Sequence, residues 1–198
     1  MSKLLCHSFM QESPMRICFI ALLITISAQA WANNDITNNK LVEATAAIDA
    51  NVIFMRHALA PGFGDPEDFN VADCSTQRNL NEEGRAQALS IGKAMRNSGL
   101  QFKEILSSQW CRCTQTTELL NLGHWSTFDG LNSFFQGYVD QQITLDLLNK
   151  KLASLDHGII LMVTHQVVIS AITKNVVRSG ALVAYNSTTF ETQEFTLD

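Results

Sequence analysis

Apolar residues in this chain fall into short runs and stripes separated by polar, turn-forming segments. Asn51–Met55 (NVIFM) is a compact β-branched and aromatic run that predicts a buried strand. Gly158–Val163 (GIILMV) carries no charge and is apolar at both parities, the strongest strand signal in the chain. Glu104–Ser107 predicts a short strand, and Gly180–Phe195 one or two more. Helical spacing appears between them. Leu41–Ile48 predicts a short helix. Asn81 caps a second, with Glu82 and Glu83 in its first turn, Ala88, Leu89, Gly92 and Met95 on one face, and Gly99 closing it. The later part of SQWCRCTQTTELL, the stripe Leu145, Leu148, Leu152 and Leu155, and Val167–Val177 predict three more. Pro61–Gln77, with two prolines, two glycines and four acidic residues, reads as a long loop. Loops of that length in a domain tend to be functional. This order of elements predicts an α/β layered fold with a largely parallel sheet.

One apolar run stands apart. Ile17–Ile26 (ICFIALLITI) follows Arg16 and precedes Ala28-Gln29-Ala30-Trp31-Ala32, small residues at alternate positions. Charge, apolar run and small-residue cleavage site together predict a secretory signal over residues 1–32. Ten residues reach about 15 Å as a helix, short of a hydrocarbon core of roughly 30 Å. A membrane anchor or buried helix is the weaker reading, and Met15 offers an alternative start. Residues 33–50 then read as the N-terminal segment of an exported mature chain, periplasmic or secreted, with no membrane span, and 51–198 as its domain. Asn33–Lys40 is polar and Asn-rich, a flexible start.

Composition narrows the function. The 198 residues, 46% apolar and 17% charged, suit one globular domain. The formal charge is −5, and no basic face points to nucleic acid. Oligomeric state is left open. Three cysteines follow the signal: Cys74, Cys111 and Cys113. Cys111 and Cys113 are too close for an unstrained mutual bond. In an oxidising compartment Cys74 is expected to bridge one of them, leaving the other over. A zinc site would need a fourth ligand and paired spacing, which this pattern lacks.

The chemistry gathers after the predicted strands, where ligands bind in such sheets. Arg56 and His57 follow NVIFM, Arg112 opens the helix after EILSS, and Thr164 and His165 follow GIILMV. Two guanidiniums and a helix N-terminus suit phosphoryl oxygens, and a histidine among them can attack phosphorus or carry a proton. A cation at a helix start is otherwise misplaced, so Arg112 reads as an anion binder. His124 and His157 read as structural hydrogen bonders. No carboxylate set suited to a metal accompanies the cluster, so no metal and no cofactor are expected.

MRHA at 55–58, RNLNEEGRAQA at 78–88, SSQWCRCTQT at 107–116 and VTHQ at 163–166 resemble the histidine phosphatase superfamily. The similarity runs from about Asn51 to Thr173, and the length is similar to the small phosphohistidine-phosphatase branch. The resemblance implies a three-layer α/β/α sandwich of phosphoglycerate-mutase-like fold, and a metal-independent phosphomonoesterase acting on a small phosphorylated substrate. It implies that His57 is the phosphorylated nucleophile, that Arg56 and Arg112 bind the phosphoryl group, and that His165 stabilises the transferring oxygens. Arg78 either reaches the same pocket or is a surface helix-start residue.

Three positions depart from the family pattern. Ala58 replaces the glycine after the first histidine, Ser133 stands where mutase-like members carry Glu, and Gln166 where phytase-like members carry Asp. The general acid is therefore unassigned, with Glu118, Asp65, Glu67, Asp68 and Asp73 as candidates. A non-catalytic phosphate- or phosphosugar-binding protein is the alternative, and a mutase a weaker third.

Overall fold

The computed structural model describes residues 40–197. The signal and the polar start at 33–39 lie outside the described residues. Residues 40–47 form α1. After it come β1 (Val52–Arg56), α2 (Glu82–Asn97), β2 (Phe102–Ser107), α3 (Cys111–Leu120) and β3 (Ser126–Thr127). The chain continues through α4 (Gln141–Ala153), β4 (Ile159–Thr164), α5 (Gln166–Thr173), β5 (Leu182–Tyr185) and β6 (Thr192–Phe195). No helix among the described residues is long and apolar enough to cross a membrane.

The six strands form one sheet in the order β3-β2-β4-β1-β5-β6. The β3-β2, β2-β4 and β4-β1 pairs are parallel, while β5 and β6 add an antiparallel edge. Side-chain alternation divides the core in two. Ile53, Met55, Leu161 and Val163 face one layer, with Leu41, Ile91, Met95 and Leu120 of α1, α2 and α3. Val52, Phe54, Ile160 and Met162 face the other, with Leu148, Leu152, Val168 and Ile169 of α4 and α5. A strand covered on both faces must be apolar at both parities, which is why NVIFM and GIILMV lack alternation. The result is the expected α/β/α sandwich with a mostly parallel sheet. Leu41, Ala44 and Ala50 belong to the first core layer, so part of the 33–50 segment packs with the sheet.

The helix boundaries follow local chemistry. Asn81 accepts a hydrogen bond from the Gly84 N–H at 2.8 Å and caps α2, and Gly99 lies just beyond its end at φ +73°. The buried face of α2 differs from the expected one at one position. Leu89 is 52% exposed, and Ile91 takes its place beside Ala88, Gly92 and Met95. Leu89 lies one residue from Ala88, about 100° around the helix, and so misses the stripe. The last helix also ends earlier than expected, at Thr173, because Lys174 takes a left-handed conformation at φ 64°. The short β3 carries no apolar signal, and hydrogen bonding to β2 defines it.

Gly92 permits the contact between α2 and α3. A Cβ there would lie 2.2 Å from the Leu120 carbonyl oxygen and 2.6 Å from its Cα. Gly92→Ala should therefore force the helices apart and cost about 1–3 kcal/mol, the usual cost of overpacking. Ser90→Ala, on the exposed side of the same helix, should stay within about 0.5 kcal/mol. Urea midpoints of the two variants against wild type check this.

Candidate active site

Sheet register builds the site. Arg56 of β1 pairs with Thr164 of β4, and Ser107 of β2 pairs with Val163. The first residues beyond these neighbouring strands, His57, Ser108 and His165, therefore emerge together at the carboxyl edge. The backbone continues the ladder one step, with His57 N–H donating to Thr164 O at 3.0 Å and Ser108 N–H to Val163 O at 2.9 Å. Both histidines are buried, their ring centroids 5.6 Å apart.

Arg112, in the first turn of α3, lies between them. Its Nε donates to His57 Nε2 at 3.2 Å and its Nη2 to His165 Nδ1 at 3.3 Å. A guanidinium has only donors, so both ring nitrogens accept. The tautomers follow. His57 carries its hydrogen on Nδ1, which donates to Ala58 O at 2.7 Å, leaving the Nε2 lone pair turned to the arginine. His165 carries its hydrogen on Nε2, which donates to Ser108 Oγ at 2.8 Å. Ser108 passes its own hydrogen to Asn132 Oδ1 at 3.2 Å. Burial, then the Arg112 charge, lowers the pKa of both histidines well below the ordinary imidazole range. Both are neutral in the resting site.

Asp65 holds Arg112 from the other side. Its Oδ1 accepts from Arg112 Nη1 at 2.7 Å and from the Arg78 N–H at 3.0 Å, and its Oδ2 from Trp110 Nε1 at 3.2 Å. Both side chains of the ion pair are about 5% exposed or less. Cys74 and Cys111 form a disulfide, and Gln77 Oε1 accepts the Cys111 N–H at 2.9 Å, so the loop is tied to the start of α3 at three points. Cys113 stays unpaired and buried, its Sγ 3.5 Å from His165 Nε2, and burial pushes its thiol up to about 12.

Arg56 and Arg78 complete a cluster of three guanidiniums. Arg56 Nη1 donates to Val177 O at 2.7 Å, while its buried Nε has no protein acceptor. Arg78 Nε donates to Gly64 O at 2.9 Å, and its Nη1 reaches Ala60 O. Burial, followed by repulsion from Arg112, lowers both pKa values. Three cations set against one carboxylate, with an unused donor, form a site complementary to an anion. The cavity between them measures about 190 Å³.

The departures from the family pattern now have structural settings. Ala58 has no positive φ, so its methyl group is accommodated without strain. The Gln166 side chain turns back, its Oε1 accepting from the Val177 N–H at 2.8 Å and its Nε2 donating to Ser170 Oγ at 2.6 Å. It thereby steadies the segment whose carbonyl holds Arg56. Ser133 lines the cavity. Among the described residues no Asp or Glu does. Of the candidate acids, Asp65 is occupied as an acceptor, Asp73 caps a turn through Ser75, and Glu67, Asp68 and Glu118 are exposed. His124 and His157 are exposed and away from the cavity, and His157 Nδ1 lies 3.1 Å from Asp156 Oδ2.

Two results can be measured directly. Trypsin cleaves after Arg112 and so separates Cys111 from Cys113. Non-reducing peptide mapping should join the Cys74 peptide to the one ending at Arg112 and leave Cys113 as a thiol. Removing the bond should cost about 3–4 kcal/mol on the chain-entropy account. The second result concerns acid. Histidines with a lowered folded-state pKa are neutral both folded and unfolded above pH 6.5, and add no pH dependence there. Below it the unfolded chain takes up protons first, so stability falls by up to about 1.4 kcal/mol per pH unit for each. Urea unfolding between pH 7.5 and 5.5 should show this slope, and His57→Gln should remove about half of it.

Comparison with known proteins agrees with this fold. The structure of the protein histidine phosphatase SixA complexed with tungstate superposes with a TM-score of 0.52 at 14% identity, over 74% of this chain and 96% of that one. An Escherichia coli K-12 protein assigned as an alpha-ribazole-5′-P phosphatase superposes with a TM-score of 0.52 at 15% identity, over 74% and 95%. At these identities the likeness is one of fold. No curated protein matches at the level of sequence. Residues 52–137 match the family model described as histidine phosphatase superfamily (branch 1), in agreement with the fold.

Proposed function

We propose that the protein is an exported, metal-independent phosphatase that works through a phosphohistidine on His57. The observation that carries the reading is the Arg112 guanidinium lying between His57 Nε2 and His165 Nδ1, with the His57 hydrogen held on Nδ1 by the Ala58 carbonyl. The nucleophilic nitrogen is thus the one that faces the cationic cluster, and it is unprotonated.

A phosphoryl group takes its place among Arg56, Arg78 and Arg112, whose donors offset its charge and strengthen as charge redistributes in the transition state. The His57 Nε2 lone pair attacks phosphorus and the bond to the leaving group breaks. The Ala58 carbonyl stabilises the imidazolium formed. Water then attacks phosphorus, the N–P bond breaks, and inorganic phosphate leaves with His57 neutral again. His165 keeps its Nδ1 lone pair on Arg112 Nη2 and so holds that guanidinium against the phosphoryl oxygens. Its Nε2–H stays on Ser108 throughout.

Among the described residues no carboxylic acid lines the cavity to protonate the leaving group, which favours substrates whose leaving group departs unaided. The same observation favours a second reading, a phosphate-binding protein without turnover.

Turnover of an activated aryl phosphate separates the two. Wild type should hydrolyse it in the presence of a chelator, with orthovanadate inhibiting. Loss in chelator with recovery on added metal would reject metal independence. Arg56→Ala or Arg112→Ala should lower kcat/KM by about 10²–10³-fold. His57→Ala should abolish turnover while still binding phosphate. Alkaline quenching of wild type during turnover should trap one acid-labile, base-stable phosphoryl group on the His57–Arg78 tryptic peptide. Turnover by His57→Ala would overturn the mechanism.

A further inference from the structure

The mouth of the cavity differs in character from its base. Arginines and histidines line the base, whereas Phe63 and Phe135 stand at the rim. Phe63 is 90% exposed and Phe135 38%, and their rings meet edge to face with centroids 5.1 Å apart. Single exposed apolar residues are common, but a pair from two distant loops meeting over one cavity is a built feature.

The two loops are clasped together. Gln136 Oε1 accepts the Asp65 N–H at 2.6 Å, and Gln136 Nε2 donates to Asp65 O at 3.1 Å. Tyr138 OH donates to Pro66 O at 2.7 Å. Gly64 lets the loops close, because a Cβ there would lie 2.7 Å from Gln136 Oε1. Asp65, which holds Arg112, is thus the neighbour of the clasp that sets Phe63 in place. The rim keeps a fixed relation to the phosphoryl site.

We propose that Phe63 and Phe135 form a clamp for a flat aromatic leaving group, making the substrate a phosphomonoester whose oxygen is borne directly on an aromatic ring. This rests on the phosphatase reading above. Two independent observations converge on it. The rim offers two aromatic rings in edge-to-face contact, one of them 90% exposed, an apolar surface that a third ring packs against by stacking or edge contact. Among the described residues the cavity offers no carboxylic acid, and an aryl oxide is a leaving group that departs without one. An alkoxide, far more basic, would be poorly served here.

The test compares phenyl phosphate with a fluorinated alkyl phosphate of matched leaving-group acidity, so that only shape differs. Wild type should prefer phenyl phosphate through KM. Phe63→Leu and Phe135→Leu, which keep the rim apolar, should raise that KM about 2–10-fold with kcat unchanged. The alkyl ester should be unaffected. Equal effects on both esters, or no preference in wild type, would overturn the clamp. A phosphotyrosyl peptide run alongside should show the same clamp dependence, and its kcat/KM relative to phenyl phosphate tells a ring carried on a polypeptide from a free one. A binding arm separates the clamp from catalysis. Calorimetry should find phenylphosphonate bound more tightly than methylphosphonate, with the difference lost in Phe63→Leu. Equal affinities would overturn the clamp, while selective binding without turnover would uphold it and overturn the hydrolase reading.

Discussion

A buried guanidinium needs a counter-charge and acceptors for its donors, and Arg112 finds them in Asp65, His57 and His165. That one side chain fixes most of the pocket. Its donors turn the unprotonated nitrogens of both histidines inward, and burial, reinforced by its charge, keeps both rings neutral. Asp65 satisfies one terminal nitrogen and offsets one charge, so the cluster with Arg56 and Arg78 keeps a net positive field for a doubly charged ligand. Removing Asp65 would take the carboxylate from a buried Arg112 flanked by the half-buried Arg56 and Arg78, and removing Arg112 would strand a buried carboxylate.

A second tier keeps these groups in register. Ser108 accepts from His165 and donates to Asn132, which in turn donates from Nδ2 to Gln109 Oε1 at 2.7 Å. Gln166 binds the Val177 N–H, and the Val177 carbonyl binds Arg56. Asn132 Oδ1 also accepts the Gln109 N–H at 2.9 Å, so the links share acceptors and brace one another. The tautomers and side-chain directions are thereby determined before any ligand arrives, which is the preorganisation that electrostatic stabilisation depends on.

The strands that carry the site were legible because they are buried on both faces, so NVIFM and GIILMV stood out, and with them Arg56, His57 and His165 just beyond. Arg112 was legible as a cation where a helix start disfavours one. The tier around them was not. Asp65 showed only as one acid among four in a loop, and its pairing spans 47 residues. Ser108 carried a usable signal, since it follows β2 as the two histidines follow β1 and β4, yet only the register shows that the three emerge side by side. Asn132 gives no local sign of its role, which depends on a hydrogen bond 24 residues back along the chain. Leu89 misled because hydrophobicity alone does not tell which side of a stripe edge a residue falls on.

The covalent tie between Cys74 and Cys111 also changes the statistics of forming the ion pair. In a chain without it, Asp65 and Arg112 meet only by closing a segment of 47 residues. With the tie made, the path between them runs from Asp65 to Cys74, across the sulfurs, and from Cys111 to Arg112, about 10 residues in effective length. Loop-closure entropy varies as the logarithm of that length, so the shorter path lowers the entropic cost of the encounter by about 1.4 kcal/mol, or roughly tenfold in probability. The bond thus acts at a distance from the chemistry, as a raised local concentration of carboxylate around the arginine.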